Sequence, residues 1–160
     1  MKKLFYIFTA ISVLSCSNNA DNNANEPVTN DTLAFGENAG DTLYFWNVNN
    51  EKSTRTKVLT DEVSNPNVQA IINGLNMVYP DILIRFSNIT NDTLNVSIPQ
   101  SEKLTQQIGT SGAAQFFATA CVNLFEAHGI NYIHFDFTAG DHAKPGIFSR
   151  QQFADIKEVK

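Results

Sequence analysis

Cysteine, tryptophan and charge are all scarce in this chain. Two cysteines among 160 residues argue against a disulfide scaffold and against any zinc site built mainly from thiolates. Charged residues make up 17%, against about 25% in an average soluble protein. The basic ones are the minority, eleven against sixteen acidic, for a net charge of −5. Nucleic acids and other polyanions need a positive footprint, so they are not expected partners. Nucleophile elbow, phosphate loop, zinc-protease helix and dinucleotide fingerprint are all missing, and no cofactor is implied. Asparagine at 19 positions and threonine at 13 carry the polarity instead. Hydrophobic residues, at 42%, suffice for the core of a single domain.

The longest apolar run stands at the very start. Lys2 and Lys3 precede Leu4, Phe5, Tyr6, Ile7, Phe8, Ile11, Val13 and Leu14, the charged and apolar parts of an export signal. The run is shorter than the roughly 20 residues that span a bilayer. It ends in Val13-Leu14-Ser15-Cys16, which resembles the lipobox of bacterial lipoproteins. That resemblance implies cleavage before Cys16 and a thioether-linked diacylglycerol on its sulfur. The chain would then be held to a membrane by acyl chains, each buried methylene adding about 0.8 kcal/mol. Ser17 in place of Asp after the cysteine favours the outer membrane, with the domain facing the periplasm. Loss of Lys2 and Lys3 leaves nine basic against sixteen acidic residues, net −7.

Three regions are expected: a signal peptide at 1–15, a flexible Asn-rich tether at 16–38 and a folded domain at 39–160. In the tether, six of the nine residues from Ser17 to Asn25 are Asn or Asp, a composition that buries too little surface to offset chain entropy. The domain opens with a strand at Thr42–Val48, rich in aromatic and β-branched residues. A polar stretch follows, with a short strand at Lys57-Val58-Leu59. Asn65-Pro66 is a helix start, and Val68, Ile71, Ile72, Leu75 and Tyr79 form one apolar face that Pro80 ends. Asp81–Ile89 and Thr93–Ile98 alternate as a hairpin, with Ile82, Ile84 and Phe86 on one face and Leu94, Val96 and Ile98 on one face of its mate.

A second helix, capped by Thr110 or Ser111, is expected to reach His128 before Gly129. Gln115, Thr119, Asn123 and Glu126 make a narrow polar stripe on it. Ala113, Phe117, Ala120, Cys121 and Leu124 lie opposite and face the sheet, which makes Cys121 a small buried hydrophobe. Asn131–Thr138 is the last clear strand, with Ile133, Phe135 and Phe137 inward. Ala139–Arg150 reads as a turn-rich loop, and Ser149 with Gln152 as a capping box. The predicted architecture is α+β: β-α-β-β-α-β, a single mixed sheet covered on one face by two helices.

Leu104–Glu126 contains Leu-x-x-x-x-Gly-Thr-x-Gly-Ala and ends in Leu-x-Glu, followed by Ile130–Phe135. The run resembles the central motif of GerMN domains, known from sporulation and spore-germination proteins. The resemblance spans about Asp41 to Phe137 and implies the same element order. It also implies an exported or lipid-anchored interaction module without catalytic residues. The C-terminal stretch from Gly140 to Phe153 is not required by that motif.

Titratable groups gather near the C-terminus: His128, His134, Asp136, Asp141 and His142. His134 and Asp136 are two apart on a strand and share a face, so with His142 they could bind a divalent metal or act as an acid–base pair. Each also has a plain role: His128 at a helix C-terminus, His134 and Asp136 on a polar sheet face, Asp141 and His142 in a turn. Ile147, Phe148 and Phe153 either fold back as a lid over the open end of the sheet, or they and Arg150 present a recognition surface with Asp141 and His142 beside it. Asp-Thr-Leu occurs at Asp31, Asp41 and Asp92 and resembles a signal for periplasmic O-glycosylation, with Thr32 the candidate acceptor.

The function these readings favour is a lipid-anchored, non-catalytic envelope protein whose domain binds an envelope protein or cell-wall partner. An envelope hydrolase or metal-dependent enzyme using the His/Asp cluster is the first alternative. A binding protein for cell-wall fragments is the second.

Overall fold

The computed structural model describes residues 45–58 and 66–160. The expected signal peptide, tether, Cys16 and Thr32 lie outside the described residues, as do Thr42–Tyr44, Leu59 and Asn65. Four strands form the larger sheet, in the order β3-β4-β5-β6: β3 (Arg85–Thr90), β4 (Thr93–Ser97), β5 (Tyr132–Asp136) and β6 (Gly146–Ser149). β3 and β4 are an antiparallel hairpin. Its tight turn puts Asn91 at φ 57°, a left-handed conformation that asparagine tolerates better than most residues. β4 and β5 run parallel, which demands a long crossover. Helix α2 (Gly109–Leu124) supplies it. β6 returns antiparallel to β5.

Period-two alternation sorts the side chains of this sheet. Leu94 pairs with Ile133 and Val96 with Phe135, and all four are fully buried beneath the helices. Helix α1 (Val68–Val78) buries Ile71, Ile72 and Leu75, the apolar face read from its spacing. Its cap is Asn67 rather than Asn65: the Asn67 side chain accepts from the Gln69 N–H at 2.8 Å. Near the other end, the Asn76 amide bonds both the N–H and the C=O of Ile84. That clasp aligns α1 with the start of β3.

The α+β class and the β-α-β-β-α-β order are both present. The sheet, however, is divided. β1 (Trp46–Asn49) and β2 (Thr54–Lys57) form an antiparallel hairpin, and β7 (Lys157–Glu158) adds to β2 in parallel. These three strands make a second sheet on the far side of α2. The physical reason lies in α2. Ala113, Phe116, Phe117, Ala120, Cys121 and Leu124 belong to the core beneath the larger sheet. Ala118 and Val122 face the other way and pack on Trp46 and Val48. A helix with apolar residues on two sides is buried between layers, and only a second layer could cover the outer one.

The polar stripe of α2 fastens that layer. Asn123, fully buried, accepts from the backbone N–H groups of Phe45 and Trp46, each at 2.8 Å, and donates to the Trp46 carbonyl. Gln115 accepts from Asn50 N–H and donates to the Val48 carbonyl. Glu126 accepts from the Trp46 indole at 2.7 Å. Side-chain amides thus stand where a neighbouring strand would be, and meet the hydrogen-bonding needs of β1.

Several boundaries differ from the sequence reading: β2 is Thr54–Lys57 where Lys57–Leu59 was expected, and β3 begins at Arg85 rather than Asp81. A π-helical turn at Lys103–Gln107 leads into α2, and Gly109 at φ +72° makes the junction. α2 then begins without a side-chain cap, so neither Thr110 nor Ser111 has that role. It also stops at Leu124 rather than His128, and Gly129 at φ +78° turns the chain back. Gly146–Ser149, expected within a loop, is strand β6. Ile133 and Phe135 of β5 offer it a paired edge, a tertiary influence that a Gly/Pro-rich local sequence does not reveal.

Candidate functional site

The helices and the small sheet lie on one side of β3-β4-β5-β6. Among the described residues, nothing packs on the other side. Cross-strand register arranges that outer face in rows. One row holds Thr90, Thr93, Tyr132 and Ser149, the next Asn88, Asn95, His134 and Ile147, and a third Arg85, Ser97 and Asp136. Tyr132 is 43% exposed and Ile147 62%.

The middle row is joined by hydrogen bonds. Asn95 Nδ2 donates to Asn88 Oδ1 at 2.8 Å, and Thr90 Oγ1 donates to the same oxygen at 3.1 Å. His134 Nδ1 stands 3.2 Å from Asn95 Oδ1. An amide oxygen only accepts, so Nδ1 is the donor here, and in a neutral imidazole Nε2 is then left as an acceptor. This ladder fixes three side chains across three strands.

A shallow cleft of about 320 Å³ opens beside the first half of α2. Phe117, Phe148 and Phe153 line it with Ala113 and Ala114, and Asn50, Thr110 and His142 edge it. Small residues at the start of α2 leave room there.

The sequence candidates therefore separate. His134 and Asp136 belong to the outer face. His142 sits on the helix side, where its N–H donates to the Thr105 carbonyl at 2.9 Å and its Nδ1 is 3.4 Å from Thr110 Oγ1. The three do not converge. Among the described residues, no three His, Cys, Asp or Glu side chains gather where a metal ion could be held. Asp141 is exposed in the loop before His142. That loop lies against the π-helical turn so closely that a Cβ at Gly140 would fall 2.7 Å from Thr105 Cβ. His128 is exposed just beyond α2.

Phe148 packs into the fold, and Arg150, an exposed residue, lays its guanidinium against the end of α2. The Phe148 ring stacks on Phe117 at 4.8 Å and meets Phe135 edge-on at 5.7 Å. Of the two arrangements open in the sequence, Phe148 adopts the folded-back one, with Phe153 beside it. Ile147, its neighbour on β6, faces outward. Arg150 Nη2 donates to the carbonyls of Phe125 and Ile130, and the guanidinium lies 5.0 Å over the Phe125 ring. It thus satisfies carbonyls left open after the last turn of α2, where a cation is favoured. The capping box is present: Gln152 Oε1 accepts from Ser149 N–H at 2.7 Å.

Burial without a charged neighbour pushes the Cys121 thiol well above its ordinary value. A thiol that stays neutral in the fold lowers stability only at alkaline pH, where the unfolded chain ionises and the folded one does not. Cys121 is fully buried, so a thiol reagent at neutral pH is expected to label it only after denaturation. Stoichiometric labelling of the native protein within minutes would contradict its place in the core.

The outer-face row was only half legible in the sequence. Alternation placed His134 and Asp136 on one side, but the partners Asn88 and Asn95 depend on register. No family model, no curated protein and no solved structure matches this chain.

Proposed function

We propose that this is an exported, lipid-anchored envelope protein whose α+β domain is a non-catalytic interaction module. Its binding surface is the outer face of the four-stranded sheet. The observation that carries this reading is the asymmetry of that sheet: both helices and the second sheet lie on one side, and the ordered Asn88-Asn95-His134 row lies on the other. An antiparallel or mixed sheet needs only one covered face for stability. The uncovered one is free to carry side chains chosen for a partner.

The anchor rests on Lys2, Lys3, the apolar run and Val13-Leu14-Ser15-Cys16. The resemblance of Leu104–Glu126 to GerMN domains agrees with an assembly role, and Ser17 after Cys16 favours an outer-membrane anchor with the domain in the periplasm. A Cys16→Ser chain is expected to take up no labelled fatty acid and to keep its signal segment. It would also leave the outer-membrane fraction. Fatty-acid labelling followed by fractionation reads all three, and label persisting on the variant would refute the anchor.

A further inference from the structure

Resting on that reading of the outer face, we infer that its ligand is an extended, uncharged polysaccharide, held across the strands along the Asn88-Asn95-His134 row. The row leaves several polar groups open toward solvent. Asn88 Oδ1 is filled by Asn95 and Thr90, and Asn95 Oδ1 by His134. Among the described residues, no partner meets either N–H of Asn88, the second N–H of Asn95 or His134 Nε2. The Tyr132 and Thr93 hydroxyls stand beside them in the adjacent row. Three neutral donors and one acceptor thus stand close together along the row, with hydroxyls beside them. The hydroxyl groups of a vicinal diol, each donor and acceptor, can meet both kinds.

Charge narrows the ligand further. Arg85 and Asp136, of opposite sign, occupy the third row at one margin, and the central positions carry amides, hydroxyls and an imidazole. A polyanion would find no cluster of cations to release its counterions. The buried centre of a protein–protein interface is more apolar than the surface around it and rich in aromatic side chains. Here Tyr132 and Ile147 are the large apolar side chains, set in different rows. They suit pyranose rings, whose C–H faces stack on an aromatic ring while their edges hydrogen-bond.

Spacing and rigidity agree. Adjacent strands lie about 4.8 Å apart, close to the advance of one sugar ring along an extended glycan. One ring per strand then meets Asn88, Asn95 and His134 in turn. Because these side chains are already tied to one another, little rotamer freedom is lost on binding.

The test uses the full-length lipidated protein in mild detergent. It is run by affinity electrophoresis in gels containing hydroxyethylcellulose, galactomannan, glycogen or dextran, and by co-sedimentation with purified peptidoglycan. Dextran sulfate serves as the polyanion control. At least one neutral glycan is expected to retard the protein, with little dependence on salt. Tyr132→Ala and Asn95→Ala should each weaken retention about tenfold or more, while Met77→Ala on the exposed side of α1 should not. Thermal melts establish that each variant is folded. If Asn95→Ala melts early, Tyr132→Ala and Ile147→Ser, both at exposed positions, decide the matter.

No retention by any of these glycans overturns the inference, as does retention that Tyr132→Ala leaves unchanged or binding to dextran sulfate alone. Crosslinks from Tyr132 to a protein in intact cells, with no glycan bound, would refute the ligand class yet leave the binding face standing. Absence of both would refute the two together.

Discussion

Replacing Asn123 with leucine is expected to destabilise the domain by roughly 3–5 kcal/mol and to loosen the second sheet from α2. The side chain is fully buried and makes three hydrogen bonds to the β1 backbone. Leucine keeps the branched shape and is larger, so no cavity forms. What changes is that two N–H groups and one carbonyl lose their partner in a dry layer, each at about 1–3 kcal/mol. Trp46, the one tryptophan, is 7% exposed, so its emission should shift to the red as β1 lifts. Asn123→Asp separates hydrogen bonding from size. Its oxygen can still accept from Phe45 and Trp46, but it cannot donate to the Trp46 carbonyl, and an intermediate loss is expected. Urea unfolding followed by fluorescence measures both variants. A loss under about 1 kcal/mol for Asn123→Leu, with unchanged emission, would mean that the amide does not hold β1.

Phe117→Ala should be about as costly, at roughly 3–5 kcal/mol, for a different reason. This ring lies at the centre of an aromatic cluster: Phe148 and Phe137 stack on it at 4.8 and 6.0 Å, and Phe135 and Phe116 approach edge-on at 5.3 and 5.5 Å. Its removal leaves a void between α2, β5 and β6 that those rings cannot fill without leaving their own contacts. Stability of a domain this size is about 5–15 kcal/mol in all, so either substitution removes a large share. Calorimetry or urea unfolding gives the value. A cost below about 1 kcal/mol would place Phe117 outside the core.

Strands β4 and β5 of the larger sheet and helix α1 were legible in the sequence because their patterns are local. Leu94, Val96, Ile133 and Phe135 alternate cleanly, and Ile71, Ile72 and Leu75 recur at helical spacing. The division into two sheets was not legible. The stripe Gln115-Thr119-Asn123-Glu126 looks like a solvated helix face, since nothing in its spacing distinguishes water from a strand as the hydrogen-bond partner. β2, expected at Lys57–Leu59 and found at Thr54–Lys57, was misplaced and β6 was missed for a related reason. Thr54–Lys57 and Gly146–Ser149 become strands through neighbours distant in the chain. Arg150, grouped with recognition residues by sequence, instead closes the end of α2, because its carbonyl partners at Phe125 and Ile130 are met only in the fold. Of the outer face, the sequence showed single residues; strand register is what joins them into rows.

The central claim, that this face is where the protein meets its partner, is tested most directly by crosslinking in intact cells. A photoreactive phenylalanine derivative is placed at Tyr132 or Ile147 on the outer face, and in control chains at Met77 on α1 or Val159 beside β7, all exposed positions. Irradiation is expected to give high-mass adducts with an envelope component from positions 132 and 147, and none from 77 or 159. Adducts from the control positions alone, or equally from all four, would contradict the claim.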